Sequence, residues 1–272
     1  MLLSRLFYYL SSIPTLLLGV KNWPTMFAAF AGIRLTRPFV IELQTGCRFQ
    51  VRTAMDIWII KETCLDRQYE QASVEIEDGW IVVDIGAGLG DFAICVASKH
   101  PQSTVYAYEP FPESFATLEA NLCLNRVHNV QAFPYAISGQ DGYVDLHIVS
   151  KEAVQQSTAF VRDRAWDRIR VPSITLDCLL DEIREGRCDY LKIDCEGAEY
   201  EILFNASDET LQRIRRICLE YHDGVTEFSH HDLVEFLQGK GFEVRLTPNP
   251  AWRHLGFLYA VNQTVLEMEA LS

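Results

Sequence analysis

Apolar positions along the chain change rhythm near residue 75. Before it the pattern is mixed. "LFYYLSSIPTLLLGV" (6–20) is apolar but interrupted by Ser11, Ser12 and Pro14. "FVIELQTGCRFQVR" (39–52) predicts two short strands around a Thr45–Gly46 turn, and "MDIWIIKETCL" (55–65) has helical spacing. From Val74 onward, short apolar runs alternate with stretches of helical period. "WIVVDI" (80–85), "TVYAYE" (104–109), "NVQAFPYAI" (129–137), "CDYLKID" (188–194) and "RRICLEYH" (215–222) read as strands. The first is nearly all apolar, as expected of a parallel strand covered on both faces. "FAICVASKH" (92–100), "PESFATLEANLCLN" (112–125), "SITLDCLLDEI" (173–183), "AEYEILFNA" (198–206) and "HDLVEFLQGKG" (231–241) read as helices. "GYVDLHIV" (142–149) alternates as an extra strand would. "FEVRLT" (242–247) and "GFLYAVN" (256–262) have no helix between them and are expected to pair antiparallel.

This alternation predicts an α/β fold. Residues 73–272 form a doubly wound, mostly parallel sheet with an antiparallel last strand, and residues 1–72 a small helical and strand appendage. No internal repeat or low-complexity tract interrupts it. Ligands of such sheets bind beyond the carboxyl ends of the strands, so the residues there carry the chemistry.

Composition narrows the function. With 24 basic and 37 acidic residues, the net charge of −13 disfavours a nucleic-acid surface, whose affinity rests on Lys and Arg. The eight cysteines (47, 64, 95, 123, 178, 188, 195 and 218) form no C-x-x-C pair. They read as small buried apolar residues of a protein in the reducing cytoplasm. The apolar run at 6–20 is shorter than the roughly 20 residues of a spanning helix. Lys21, Trp23 and Pro24 separate it from "AFA" (29–31), which is poor signal-peptide grammar. A packed helical appendage is the favoured reading, and weak peripheral membrane contact through the N-terminus the minority one.

Two stretches carry specific chemistry. In "VVDIGAGLGDFA" (82–93), Asp84 ends a strand and Gly86, Gly88 and Gly90 follow at alternate positions before a helix. Glycines permit a tight turn and close backbone approach to a ligand. Glu109, 19 residues after Gly90, ends the next strand, where nucleotide sites place an acid for ribose hydroxyls. The dinucleotide pattern G-x-G-x-x-G fails here, because Asp91 holds its sixth slot. G-x-G-x-G with an acid suits S-adenosylmethionine (SAM), which has a sulfonium and an ammonium and no pyrophosphate. A nicotinamide-dependent oxidoreductase on a related sheet and a non-catalytic protein of the same fold are the alternatives. The second stretch, "DYLKIDCEGAEYEIL" (189–203), gathers Asp194, Glu196 and Glu199 around Gly197. Asp194 and Glu196 end a central strand and are read as functional. Glu199 also fits a solvated helix face, and Glu201 is read as one.

"VVDIGAGLGDFA", "VYAYEPFPESFATLEANL", "SITLDCLL", "DYLKIDCEGAEYEIL" and "ICLEYH", in this order over roughly residues 45–262, resemble the FkbM family of SAM-dependent methyltransferases. The resemblance implies a class I (Rossmann-like) methyltransferase fold and O-methylation, often of sugar or natural-product hydroxyls. It puts Asp84, Gly86 and Gly88 at the SAM site and Glu109 on the ribose; Gly88 stands where many relatives carry Asn. Ala87, Gly90, Asp91, Pro110 and Ala136 complete the expected cofactor-binding set. A hydroxyl needs a base or a metal to become a nucleophile. The candidates are Asp194, Glu196, Glu220 and His222. Glu220 and His222 share one face of a strand end, and with Asp194 they form a candidate site for a divalent cation. The alternative for His222 is a structural histidine bonded to Glu220. The expected partner is a small-molecule or glycan acceptor; His100, His128, His147 and His254 have no supporting context.

Overall fold

A computed structural model describes residues 2–31, 39–70, 75–148, 156–157, 168–249 and 251–265. The chain opens with helices α1 (Leu2–Gly19) and α2 (Trp23–Phe30), hairpin β1 (Phe39–Glu42) and β2 (Arg48–Val51), and helix α3 (Ala54–Ile60). It continues through β3 (Ile81–Ile85), α4 (Asp91–Lys99), β4 (Thr104–Tyr108), α5 (Pro112–Asn125), β5 (Val130–Phe133) and β6 (Ala136–Ile137). Next come β7 (Gly142–Ile148), β8 (Gln156–Ser157), β9 (Arg168–Ile174), α6 (Leu176–Glu182), β10 (Tyr190–Ile193), α7 (Glu199–Phe204) and α8 (Asp208–Gln212). The last elements are β11 (Arg216–His222), α9 (His230–Gly239), β12 (Phe242–Pro248) and β13 (Leu255–Asn262).

The central sheet has seven strands in the order β12-β13-β11-β10-β3-β4-β5. β11, β10, β3, β4 and β5 run parallel, and β13 is antiparallel to both β11 and β12. This is the α/β sheet with an antiparallel last strand that the pattern predicts. β3 lies between the central β10 and β4, with every residue buried. Ile81, Val83 and Ile85 enter one core with Leu176, Leu179 and Tyr200, while Val82 enters the opposite core with Ala93, Val96 and Leu118. Two covered faces are why this strand is apolar at every position but Asp84.

Three readings change. The expected strand 129–137 is two strands in two sheets. Pro134, which has no N–H for the ladder, separates β5 from β6, and β6 joins a second sheet ordered β6-β9-β7-β8. Strand β9 was hidden in the sequence by Pro172, which pairs opposite Tyr143; its end takes Ser173 and Ile174 from the helix expected over 173–183. Thr175 then caps α6, its hydroxyl accepting from Cys178 N at 3.2 Å. The helix expected over 55–65 begins with a Thr53–Asp56 capping box and widens into a π-helical turn at Lys61–Leu65. Residue 149 of the expected strand 142–149, and the boundary drawn at residue 72, lie outside the described residues.

The first 70 residues share a core with the rest. Leu16, Val20, Met26, Phe49 and Ile57 pack with Leu89 and Ile94, at the turn after β3 and on α4. Fully buried Asn121 of α5 accepts from Gln50 N at 2.7 Å and donates to Leu89 O at 2.9 Å, so one side chain holds β2 against that turn. Cys64 and Cys95 form a disulfide with a Cα–Cα distance of 6.2 Å. This corrects the reading of all eight cysteines as unpaired: packing of the π turn on α4 joins residues 31 apart that no spacing rule links. Cys47, Cys188 and Cys218 are free and buried, and Cys123 is exposed.

Candidate active site

The carboxyl ends of β3, β4, β10 and β11 open on a cleft of about 770 Å³, a size suited to a small-molecule site. The glycine turn forms one part of it. Gly86 N and Ala87 N both donate to Tyr108 O at 3.0 Å, tying the turn to the end of β4. Gly86 (φ +76°) needs its missing side chain, since a Cβ would lie 1.9 Å from the Asp194 carbonyl oxygen. Gly90 (φ +87°) is filled from behind by Leu118. Gly88 (φ +54°) faces open space, with nothing within 4 Å of a Cβ placed there. Its constraint is therefore the left-handed backbone alone, which Asn tolerates and β-branched residues do not. Gly88→Asn is expected to keep stability within about 1 kcal/mol, and Gly88→Val to lose about 1–2 kcal/mol. Urea unfolding of both variants checks this; equal losses would mean that space, not φ, constrains the position.

Glu109 is clamped at the end of β4. One carboxylate oxygen accepts from Gly88 N and the other from Phe111 N, each at 2.8 Å. Burial pushes its carboxyl up to about 7 against the pull of these two N–H groups. Asp91, at the start of α4, is pushed up to about 6, again by burial first, with a hydrogen bond from Thr63 opposing it. Asp84 lies beneath the turn, fully buried, 2.9 Å from Lys192 Nζ. Lys192 also donates to Gly86 O at 2.7 Å. Burial raises the Asp84 carboxyl, with Lys192 countering it.

A second set of groups stands at the ends of β10 and β11. Asp194 accepts from the Tyr69 hydroxyl at 2.7 Å. Glu196 holds a left-handed backbone (φ +52°), followed by Gly197 (φ +109°). Strain of this kind in a bulky residue recurs at functional turns. Asp194, Glu220 and His222 each place one ligand atom within 4.8 Å of the others. Glu199 is completely buried and orients His222: it accepts from His222 N at 2.9 Å and from Nδ1 at 3.1 Å, and from Gly197 N at 2.8 Å. Nε2 of His222 is left toward Glu196, 3.6 Å away. Burial alone would lower the imidazole, but the hydrogen bond and charge of Glu199, then Glu196 and Glu220, push it up to about 10. Loss of surrounding water, then the Asp194 charge, holds Glu220 well above the ordinary carboxylate range.

The family model described as the methyltransferase FkbM domain matches residues 84–244. The chain belongs to the FkbM methyltransferase family. It is 27% identical over 239 residues to Methyltransferase 1 of Beauveria bassiana, covering 81% of this chain and 92% of that one. It is 28% identical over 222 residues to the 31-O-demethyl-FK506 methyltransferase FkbM of Streptomyces tacrolimicus, covering 71% and 84%. The crystal structure of methyltransferase FkbM from Methylobacillus flagellatus superposes with a TM-score of 0.51 at 14% identity, over 71% of this chain and 46% of that chain. The shared fold is the class I methyltransferase sheet.

Within this FkbM domain the expected site residues separate into two groups. Gly86, Gly88, Asp91, Glu109, Pro110, Ala136, Asp194, Glu196, Glu220 and His222 line the cleft. Asp84, Ala87 and Gly90 are buried behind the turn and shape it. His222 bonds to Glu199 rather than to Glu220, which replaces the pairing considered for a structural histidine. Sequence reasoning passed over Tyr69 and Lys192, left Glu199 open between the acid cluster and a solvated helix face, and gave no role to His254, which also lines the cleft. Two of these left a trace. Lys192 is a lone charge in the buried run Tyr190–Ile193, and a charge there demands a partner on a neighbouring strand. Glu199 is the second glutamate of "DCEGAE" (194–199), within the second of the two quoted stretches.

Proposed function

We propose that the protein is a SAM-dependent O-methyltransferase acting on a hydroxyl of a sugar, glycan or natural product. The observation that carries this reading is the opening of two sets of groups onto one cleft: the glycine turn with Glu109, and the Asp194–Glu220–His222 trio. The first set fits SAM. Glu109 is a fixed acceptor for ribose hydroxyls, Gly88 allows close approach, and the acids around the turn suit a cationic ligand. SAM, when bound, supplies a methyl group already activated on a sulfonium. The chain's own residues then have two tasks, to align the acceptor oxygen and to take its proton. Asp194 or Glu220 accepts the hydroxyl hydrogen bond and receives the proton as the oxygen gains its methyl group. Glu199 holds the His222 ring in place beside them. Tyr8, Tyr9, Trp58, Tyr135 and Trp252 also line the cleft. Their rings offer flat apolar faces to an acceptor such as a sugar. The O-methyl specificity named for the Streptomyces tacrolimicus relative supports the same choice.

A second reading rests on the spacing of the trio. Three ligand atoms within 4.8 Å, with Nδ1 of His222 held by Glu199, leave Nε2 suited to a divalent cation, and a cation there would lower the pKa of the acceptor hydroxyl. Methyl transfer measured with and without EDTA decides between the two. Unchanged turnover assigns the proton to the side chains, and loss that Mg²⁺ or Mn²⁺ restores assigns it to the cation.

The cofactor assignment has its own test. Glu109→Ala is expected to weaken SAM binding by about 1.5–3 kcal/mol, the range for a hydrogen bond to a charged group. Calorimetric titration measures it; an unchanged dissociation constant would move the ribose contact elsewhere. Titration with a nicotinamide dinucleotide tests the oxidoreductase alternative, and methyl transfer to any acceptor removes the non-catalytic one.

A further inference from the structure

Helices α1 and α2 are amphipathic in an unusual sense: one face is buried and the other is apolar and exposed. Ser12, Leu16 and Val20 turn inward at four-residue spacing, and Met26 does the same on α2. Outward lie Leu10 (55% exposed), Ile13, Leu17 and Leu18 (77% exposed), with Trp23 and Phe27 on α2. Exposed apolar patches of this kind mark interaction surfaces. The base of α1 is anchored: the Tyr8 hydroxyl donates to Glu62, and Lys61 sits 4.7 Å from the Tyr8 ring and 4.8 Å from the Trp58 ring. The outward face is thus held in a fixed place.

Two further observations say what covers it. The first is charge. Of the chain's 37 acidic residues none precedes Glu42, whereas four of its 24 basic residues do. Lys21 among them shares its charge with Glu42 at 2.8 Å. An apolar, acid-free, basic segment on a chain of net charge −13 complements an anionic surface. The second observation is continuity. Tyr9 of α1 and Phe30 of α2, both exposed, line the rim of the active-site cleft. The apolar face therefore runs to the mouth of the site. Among the described residues no helix is long and apolar enough to cross a membrane, so the contact is one of lying on the surface.

We propose that the outward face of α1 and α2 docks on an anionic phospholipid bilayer, with Leu10, Leu18 and Trp23 entering the headgroup boundary. The docking sets the cleft mouth at the lipid surface.

The test is flotation of the full chain with phosphatidylcholine vesicles containing about 30% phosphatidylglycerol, and with pure phosphatidylcholine vesicles. The wild type is expected to float with the anionic vesicles and to bind the neutral ones more weakly. Leu10→Glu/Leu18→Glu is expected to lose binding by on the order of 10-fold or more, with SAM affinity and unfolding midpoint retained because both positions are exposed. Tyr143→Glu, at an exposed apolar position on β7, is expected to bind as the wild type does. As an independent readout, the emission of Trp23 shifts to the blue on the vesicles and the shift disappears in Trp23→Phe. Wild-type protein that stays off anionic vesicles, equal binding to both compositions, or binding that survives Leu10→Glu/Leu18→Glu would each overturn the proposal. A wild-type dimer in sedimentation equilibrium that the double variant dissociates, without vesicle binding, would overturn it in favour of a second copy.

Discussion

Replacing Asp194 by Asn is expected to lower turnover by roughly 10²–10⁴ while SAM affinity stays within a few-fold, the usual weight of one general acid–base group. The substitution keeps the shape of the side chain and an oxygen to accept the Tyr69 hydroxyl, which lies 2.7 Å from the carboxylate in the native protein. What it removes is a charge and a proton acceptor at the point where β10 meets the cleft. A loss follows under either reading of the trio, because a neutral amide is not a base and lacks the negative charge with which a carboxylate holds a divalent cation. The two readings then part in the metal dependence of the residual activity. Rates measured at saturating SAM, with binding followed separately by calorimetry, make the distinction. Turnover that survives Asp194→Asn would remove this residue from the chemical step and leave Glu220 or Glu196 as the acceptor of the proton.

Legibility of this molecule in its sequence follows covalent locality. β3 was readable because both its faces are covered, so every residue is apolar except the one that reports a buried partner. Helix α5 was readable to the residue, since Pro112 opens it and Arg126, at φ +56°, closes it. The β5–β6 break and β9 were not, because each turns on a proline whose effect depends on which sheet the next residues join. The meeting of Asp194 with Glu220 and His222 could be placed from topology alone: parallel strands end on one side, and alternate residues share a face. Glu199 could not be placed so. Its spacing fits a solvated helix face, and only the approach of β11 buries it and gives it His222 to hold. Tyr69 was beyond reach for a further reason. It arrives from outside the sheet, on a 3₁₀ turn at Gln68–Glu70, with no sequence signal linking it to a residue 125 positions away.

The strongest effect on stability is expected at the pair beneath the glycine turn. Lys192→Met should destabilise the protein by about 3–5 kcal/mol, the cost of leaving a buried charge without its partner. Asp84 is fully buried, and Lys192 is the cation beside it at 2.9 Å. The loss should depend on pH in a definite sense. Asp84 is already raised above its ordinary value by burial, with Lys192 opposing the rise. Removing Lys192 raises it further. The folded variant then holds a proton that the unfolded chain, with an ordinary carboxyl near 3.9, has released. Where the folded state binds more protons, stability falls as pH rises. The deficit should therefore be smallest at mildly acid pH and grow toward neutrality. Adding Asp84→Leu to Lys192→Met removes the orphaned charge and should recover most of the loss, as apolar replacements of buried pairs do. Urea unfolding of the two single variants and the double variant across pH 5–8 measures all three claims. A single-variant deficit that is flat with pH, or a double variant no better than Lys192→Met, would mean that Lys192 matters through its 2.7 Å bond to Gly86 O and the shape of the turn. In that case the same variant should lose SAM affinity in proportion to its loss of stability.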